Sequence, residues 1–149
     1  MGAGDDDVAF QNTKSGKWLQ LKDTGELRYD NKNIQLEPQQ SPLWTGGYHM
    51  VEGHIVTPSK PIRECQNGWI LIWSDYDPGK VNDYDWDSTY IPKNSAIVDK
   101  GNIFCRVAVN SNNPSIIKVL CITNTQILGV NGNNEGDRGD TVLRQVLEY

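Results

Sequence analysis

The sequence predicts an all-β protein in which a short β-meander precedes a β-sandwich or barrel, and three observations favour that class. Short apolar segments recur about every ten residues between Gly-, Pro- and Asn-rich turns, a spacing typical of antiparallel β-folds. No segment longer than a turn or two repeats apolar residues at the helical period. Hydrophobic residues make up 37% of the 149 residues, which suits many short strands better than a large helical core.

Residues 8–41 are predicted to form the β-meander. Apolar and polar residues alternate in Trp18–Leu21, Glu26–Tyr29 and Ile34–Leu36, with turn sequences between them. So few large apolar residues cannot bury a core, because two or three isolated strands are marginal in water. The meander therefore needs the following domain or another copy of itself. Two prolines in Glu37–Pro42 indicate a linker.

Residues 42–149 are predicted to supply most of the core as one domain. The apolar run Trp69–Trp73 follows an Asn-Gly turn, and we expect a strand buried on both faces. Strict alternation in the last strand would place Leu143 and Val146 on opposite faces. The predicted strands of this domain are His54–Thr57, Trp69–Trp73, Ser95–Val98, Ile103–Val109, Ile116–Thr123, Ile127–Val130 and Thr141–Tyr149.

Charge and composition exclude several classes of partner. The formal net charge is −5 and no Lys/Arg cluster appears, so neither nucleic acid nor an anionic membrane is expected to bind. No apolar stretch reaches membrane-spanning length, so membrane insertion is not expected. Without a recognisable secretion signal, we expect folding and assembly in a reducing cytoplasm. The small, acidic residues 1–7 are interpreted as a leader.

The three cysteines are expected to be free thiols. Cys65, Cys105 and Cys121 are odd in number and lack the spacing of a zinc site. We expect Cys105 and Cys121 to be buried, because each lies within an apolar strand. Cys65 lies beside the Asn67-Gly68 turn and is expected to react most readily.

An acidic, aromatic segment follows the central apolar strand and is the first candidate site. Carboxylates and amides can bond sugar hydroxyls while aromatic rings stack on sugar faces. Trp86 and Tyr90 could equally be core or interface residues, and the sequence leaves both readings open. The candidate contacts in this segment are Asp75, Tyr76, Asp77, Asp83, Tyr84, Asp85, Trp86, Asp87 and Tyr90.

The same segment offers weak calcium candidates. Asp83, Asp85 and Asp87 supply the oxygen ligands that hard cations prefer. The spacing differs from that of an EF-hand and no Glu closes the loop. A solvated acidic loop is the simpler interpretation, and no cofactor is expected.

The loop of residues 131–140 is the second candidate, with Asn133 and Asn134 as possible ligand contacts. Ten residues without an apolar side chain lie there between two predicted strands, as in a flexible polar loop or a distal tip. The tripeptide Arg138-Gly139-Asp140 resembles an integrin motif, but Gly beside Asp is ordinary turn chemistry.

No catalytic residues are predicted, and the chain is not expected to be an enzyme. Only His49 and His54 are available as histidines, and no nucleophile motif accompanies them. The clustered carboxylates show no apolar pocket of the kind that tunes a glycosidase acid.

Several motifs, taken in order, resemble one family from about residue 43 to the end. These are Leu43–Gly46, Pro58–Pro61, Asn67–Ser74, Tyr90–Lys93, Lys118–Ile122 and Val142–Val146. They resemble the carboxy-terminal domain of minor structural, baseplate and tail-fibre proteins from phages and prophages of Gram-positive bacteria. The resemblance implies a jelly-roll-like, homotrimeric fibre tip that attaches the virion to host cell-wall polysaccharide, with the meander as its neck. It also implies other tail or baseplate proteins as partners and a location in the phage tail.

Two hypotheses about function remain at this stage. The chain could be a receptor-binding tip for a wall saccharide or teichoic acid, or a purely structural module that trimerises a fibre or baseplate. Exposure of the rings and carboxylates between Asp75 and Tyr90 would favour binding. A glycosidase acting on the wall polymer is a distant third.

Overall fold

The computed structural model describes residues 8–22, 26–30, 32–33, 41–108 and 115–149. For residues 32 and 33 it describes the backbone alone. These ranges contain β-strands and three short 3-10 turns, with no α-helix among them, so the predicted all-β class is confirmed. The chain divides into two compact units, residues 1–39 and 40–149, which we describe separately.

The first unit is a four-stranded antiparallel meander in which consecutive strands pair. Its strands are β1 Val8–Gln11, β2 Trp18–Leu21, β3 Leu27–Tyr29 and β4 Lys32–Asn33. The predicted strand Ile34–Leu36 lies outside the described residues, as do the leader and residues 37–40 of the predicted linker.

One face of this meander is apolar, and we call it the meander face. Residues paired directly across antiparallel strands share a face. The meander face consists of two rows across three strands, Val8, Leu21 and Leu27 in one and Phe10, Leu19 and Tyr29 in the other. Phe10 is 68% exposed, and none of the side chains described in this unit is buried. The described side chains of this sheet therefore form no core of their own, as the composition of the meander predicts.

The second unit is built from two antiparallel sheets. One has the order β5-β13-β7, with β8 and β9 also pairing with β7, and the other has the order β10-β11-β12-β6. The described strands of this unit are β5 Trp44–Tyr48, β6 Ile55–Val56, β7 Gly68–Asp77, β8 Lys80–Val81, β9 Asp87–Pro92, β10 Asn102–Val107, β11 Ile116–Ile122, β12 Ile127–Gly129 and β13 Thr141–Glu148.

Side chains from both sheets share one core, so the arrangement is sandwich-like. Trp69, Leu71 and Trp73 of β7 are fully buried, and Leu120 of β11 joins the same cluster from the other sheet. The indole N–H groups are satisfied, since Trp69 Nε1 donates to Lys60 O and Trp73 Nε1 to Thr89 Oγ1, each at 3.1 Å. Burying large aromatic side chains in this way contributes a major part of the stability of such a domain.

The prediction that the central strand is buried on both faces is wrong. Ile70 and Ile72, which alternate with the buried residues of β7, are partly exposed. Period two places them on the outer face of the sheet, away from the core.

The strict alternation predicted for the last strand is also wrong. A register shift between Leu143 and Gln145 interrupts the pairing of β13 with both β5 and β7. The extra residue of a bulge moves the following side chains to the opposite face. Leu143 and Val146 are therefore both fully buried in the core.

Tertiary pairing changes three further elements. The predicted strand Ser95–Val98 forms turns in which Val98 N donates to Ser95 O at 3.2 Å, and its Val98 side chain enters the core. Strands β5 and β9 were not predicted, because Gly46, Gly47 and Pro92 are residues that usually weaken strands. Both strands form because β13 and β7 offer them partners.

All three cysteines are free, but their exposure differs from the prediction. Cys65 and Cys105 are each 1% exposed, whereas Cys121 is intermediate. Burial raises the pKa of the Cys65 thiol and raises the pKa of Cys105 to about 12. The thiolate is the reactive form of cysteine, and burial disfavours it at Cys65 and Cys105. Cys121, the most exposed of the three thiols, is therefore expected to react most readily.

One thiol per chain should therefore react quickly with a maleimide or disulfide reagent in the native state. We expect the Cys121→Ser variant to lose this fast phase, and the Cys65→Ser variant to keep it. Mass spectrometry of the labelled peptides measures both. Fast labelling of Cys65 in the folded protein would contradict the assignment.

Candidate functional site

Strand β7 runs on into a hairpin that carries part of the first candidate site. Residues 76–77 pair with residues 80–81 across a turn at Pro78 and Gly79. Gly79 has a φ of 86°, a conformation that suits glycine at the third position of a turn with proline before it. Much of the predicted loop is therefore paired strand, which fixes the positions of its side chains.

Asn82 ties two predicted ligand carboxylates together. Its Nδ2 donates to Asp75 Oδ2 and to Asp77 Oδ2, each at 2.8 Å. Asp75 is only 8% exposed, so it stabilises the β7–β8 hairpin, while Asp77 stays exposed.

Arg144 of β13 organises the turn between β8 and β9. Its Nη1 donates to Ser74 Oγ at 3.0 Å, to Asn82 O at 3.1 Å and to Asp83 Oδ1 at 2.8 Å. Its guanidinium also lies over the Trp86 ring, 5.0 Å from the centroid, within the range of a cation–π contact. Trp86 is thus held in place while half of it remains exposed.

The other candidates of this segment separate into exposed and structural residues. Tyr84 and Tyr90 are exposed, and Asp85 is exposed with a positive φ of 51°. The Tyr90 ring packs edge-on against Tyr149 with centroids 5.2 Å apart. Asp87 is structural, because its Oδ2 accepts the Ala108 N–H at 2.5 Å and so links β9 to β10.

A cavity of about 280 Å³ brings the two candidate loops together. It lies where the β7–β8 hairpin meets residues 134–140, and both Tyr76 and Asn134 face it. The residues that line it are His49, Tyr76, Pro78, Gly79, Asn134, Gly136, Gly139 and Asp140. A concave site with aromatic rings and a few polar groups can hold a small polar ligand such as a sugar unit.

His49 and Tyr76 form one wall of this cavity. Their ring centroids are 3.8 Å apart at an interplanar angle of 63°. Burial, followed by the positive charge of Lys118 and the effect of His54, lowers the pKa of His49. The imidazole is therefore neutral at pH 7 and can exchange hydrogen bonds without adding charge.

A buried lysine supports the cavity from behind. Lys118 of β11 is fully buried, and its Nζ donates to His49 O at 2.9 Å. Burial lowers the pKa of Lys118 to about 7, opposed by the attraction of Asp140. Burial and the neighbouring Asp137, Asp75 and Asp77 raise the pKa of Asp140.

Asn133 has a structural role, which corrects its assignment as a ligand contact. The side chain is fully buried. Its Oδ1 accepts Val119 N–H at 2.8 Å, and its Nδ2 donates to Val119 O and Met50 O at 2.7 Å. The amide thus satisfies the backbone of β11 beyond the last residue pair with β12, Leu120 and Gly129. Asn134, by contrast, is exposed and lines the cavity.

The calcium candidates do not converge. Among the described residues, which include all of 75–87, no three His, Cys, Asp or Glu side chains are placed to hold a metal ion. Asp83 pairs with Arg144 and Asp87 bonds to a backbone amide. Sequence proximity suggested a cluster that the strand geometry separates.

Sequence reasoning missed two residues that line the cavity, His49 and Asp140. His49 was considered only for a hydrolase triad, and Asp140 only as the end of a tripeptide. Neither has a local signal, because each reaches the cavity through contacts between distant strands. The glycines that line the cavity, Gly79, Gly136 and Gly139, are recognisable in the sequence as turn residues. The sequence does not indicate that these turns border one cavity.

The comparisons with known proteins give no family. No protein-family model matches the chain, and no curated protein matches it. None of the helical segments in the described part of the chain has the length and apolar character needed to span a membrane.

Proposed function

We propose that this chain is the receptor-binding tip of a phage tail fibre or baseplate, which attaches the virion to a polysaccharide or teichoic acid of the host cell wall. The observation that carries the proposal is the cavity where Tyr76, Asn134 and Asp140 meet. It combines an aromatic ring with hydrogen-bonding groups at one concave place, as sugar recognition requires. The motif resemblance adds the phage context, with a jelly-roll-like tip and assembly in the bacterial cytoplasm.

The exposed rings of the first candidate segment support binding over a purely structural role. Tyr84 and Trp86 are each 50% exposed and Tyr90 is 57% exposed. The Arg144 guanidinium lies over the Trp86 ring, 5.0 Å from its centroid, and this contact restricts the ring and lowers the cost of ordering it when a ligand binds.

A co-sedimentation experiment tests the proposal. Purified cell walls from a panel of Gram-positive bacteria, with and without their teichoic acid, are incubated with the chain and pelleted. We expect retention on at least one wall, and its loss in the double variant Tyr76→Ala, Asn134→Ala. Retention that the double variant leaves unchanged would contradict the proposed site, and release of reducing ends from the wall would favour the glycosidase.

Replacing Trp86 by Ala should weaken wall binding and leave the fold intact. Removal of one aromatic contact typically costs on the order of 1–3 kcal/mol of binding free energy. The matched control is Phe104→Ala, because Phe104 is 73% exposed on β10, in the other sheet. This change should not alter wall binding. Binding isotherms and melting temperatures of both variants are measured. A large fall in melting temperature with Trp86→Ala would contradict its placement at the surface.

The second part of the proposal is that the chain forms a trimer through the meander face. If the chain is a purely structural fibre or baseplate module, this trimerisation is its function. The two rows on β1, β2 and β3 consist of aliphatic and aromatic residues, so identical copies can bury these side chains against one another. A sheet without its own core requires such a partner wherever it is folded. Most soluble oligomers consist of identical chains, which favours a second copy of this chain as the partner that covers the meander face.

Placing a charge on the meander face should dissociate the assembly. We expect a trimer for the unaltered chain and for Gln20→Glu, whose side chain lies on the opposite face, and monomers for Leu19→Glu. Deleting residues 1–40 should have the same effect as Leu19→Glu. Light scattering coupled to size-exclusion chromatography measures the mass, and a monomeric unaltered chain at micromolar concentration would contradict this part.

A further inference from the structure

The cavity has an electrostatic character that narrows the ligand class, and this inference rests on the proposed saccharide binding. Among the described residues that line the cavity, Asp140 alone carries a formal charge at neutral pH, since the lowered pKa of His49 keeps that ring neutral. A carboxylate in a partly enclosed site interacts with a ligand charge more strongly than one at an open surface.

Neighbouring carboxylates make the site more negative. Asp137, Asp75 and Asp77 act on Asp140 strongly enough to contribute to its raised pKa. Asp77 lies on the β7–β8 hairpin and Asp137 on the loop between β12 and β13, so each of the two elements that border the cavity adds a negative charge that acts on Asp140.

No cationic side chain is among the described residues that line the cavity, although Lys80 follows the lining residue Gly79. Lys118 is buried behind His49 with its Nζ committed to the His49 carbonyl, and with a pKa of about 7 it is only partly charged. Arg138 directs Nη1 to Gly132 O at 3.4 Å. Neither side chain lines the cavity. A ligand in the cavity therefore meets the Asp140 carboxylate without a cationic side chain among the described lining residues, which disfavours the phosphate groups of a teichoic acid backbone.

We propose that the cavity selects a saccharide that carries a protonated amine, with the Asp140 carboxylate as the partner of the ammonium group. The ammonium donates to the carboxylate in a charge-assisted hydrogen bond. Tyr76 packs against the sugar ring, and the Asn134 amide and the neutral His49 bond its hydroxyl groups. Of the wall polymers in the proposed function, an amino sugar with a free amine fits this site and an anionic phosphate chain does not.

The test compares two probes that differ in one kind of group. Chitobiose carries free amines, and its N,N′-diacetyl derivative has the same rings with the amines blocked. We expect the full chain to bind chitobiose about tenfold more tightly by calorimetry, as a hydrogen bond between charged groups allows. Raising the salt concentration should narrow this gap, because ion pairs are screened.

Two variants separate the cavity from the overall charge of the protein. Asp140→Asn should remove the preference for the free amine. Glu52→Gln, which makes the same change in net charge at an exposed turn, should keep it. Equal affinity for both probes, or a preference that survives in Asp140→Asn, would overturn this proposal and leave saccharide binding standing. Failure to bind either probe would also overturn the proposed selectivity for a protonated amine. If, in addition, no cell wall retained the chain, the proposed function would be contradicted as well.

Discussion

Replacing Asn133 by Ala should lower the free energy of unfolding by about 2–4 kcal/mol. The change leaves the Val119 N–H and C=O groups buried without the partner they have in the native structure, and each unsatisfied group costs about 1–3 kcal/mol. The Met50 carbonyl oxygen keeps one hydrogen bond after the change, because it also accepts Val130 N–H at 3.0 Å. Its contribution to the loss of stability is therefore smaller. For a domain of this size the melting temperature should fall by roughly 10 °C.

Asn134→Ala is the matched control for this change. The neighbouring asparagine is exposed and lines the cavity, so its loss should weaken saccharide binding and change the melting temperature by no more than a degree or two. The two adjacent asparagines thus separate stability from binding. An Asn133→Ala variant as stable as the unaltered chain would contradict the anchoring role of its amide.

The free energy of unfolding should rise by roughly 1.5–2 kcal/mol between pH 7 and pH 8.5 because of Lys118. Its pKa in the folded protein is about 7, below the ordinary 10.5. Above pH 7 the buried amine is neutral while the unfolded chain still binds a proton there. The unfolded state then holds more protons, so stability increases with pH. Below pH 7 both states are protonated and the cost of burying the charge is largest.

Lys118→Met removes this titration. The free energy of unfolding of this variant should therefore change little between pH 7 and pH 8.5. An apolar side chain of similar size should also make the protein at least as stable at pH 6, since a buried charge is replaced. Urea unfolding at pH 6, 7 and 8.5 measures both effects. The pH range of this experiment stops at 8.5 because of Cys105. Above about pH 9 the Cys105 thiol loses its proton in the unfolded chain and keeps it in the folded protein, which lowers the free energy of unfolding. An unchanged slope in Lys118→Met would contradict the role of this residue.

Local pattern predicted the strands whose own residues favour them. Strands β10, β11, β12 and β13 lie within a few residues of their predicted bounds, because their alternation matches a half-buried sheet. The bulge in β13 and the strands β5 and β9 depend on partners from distant parts of the chain. Such pairings override local preference, so a single sequence does not reveal them.

The sequence named both halves of the candidate site without showing that they meet. Tyr76 and Asn134 were predicted because rings, amides and acidic groups cluster around them. Their meeting depends on Asn133, which fastens the second loop to β11, and on the pairing of β13 with β7. Asn133 looked like a ligand contact because burial of a polar side chain cannot be read from a polar loop.

Hydrogen–deuterium exchange of the full chain, with and without the wall fragment that retains it, tests the central claim most directly. We predict slower exchange in residues 76–81 and 131–140, which border the cavity, and unchanged exchange in residues 102–107 of β10. Protection in β10 or in the meander, with none in the two segments that border the cavity, would contradict the account.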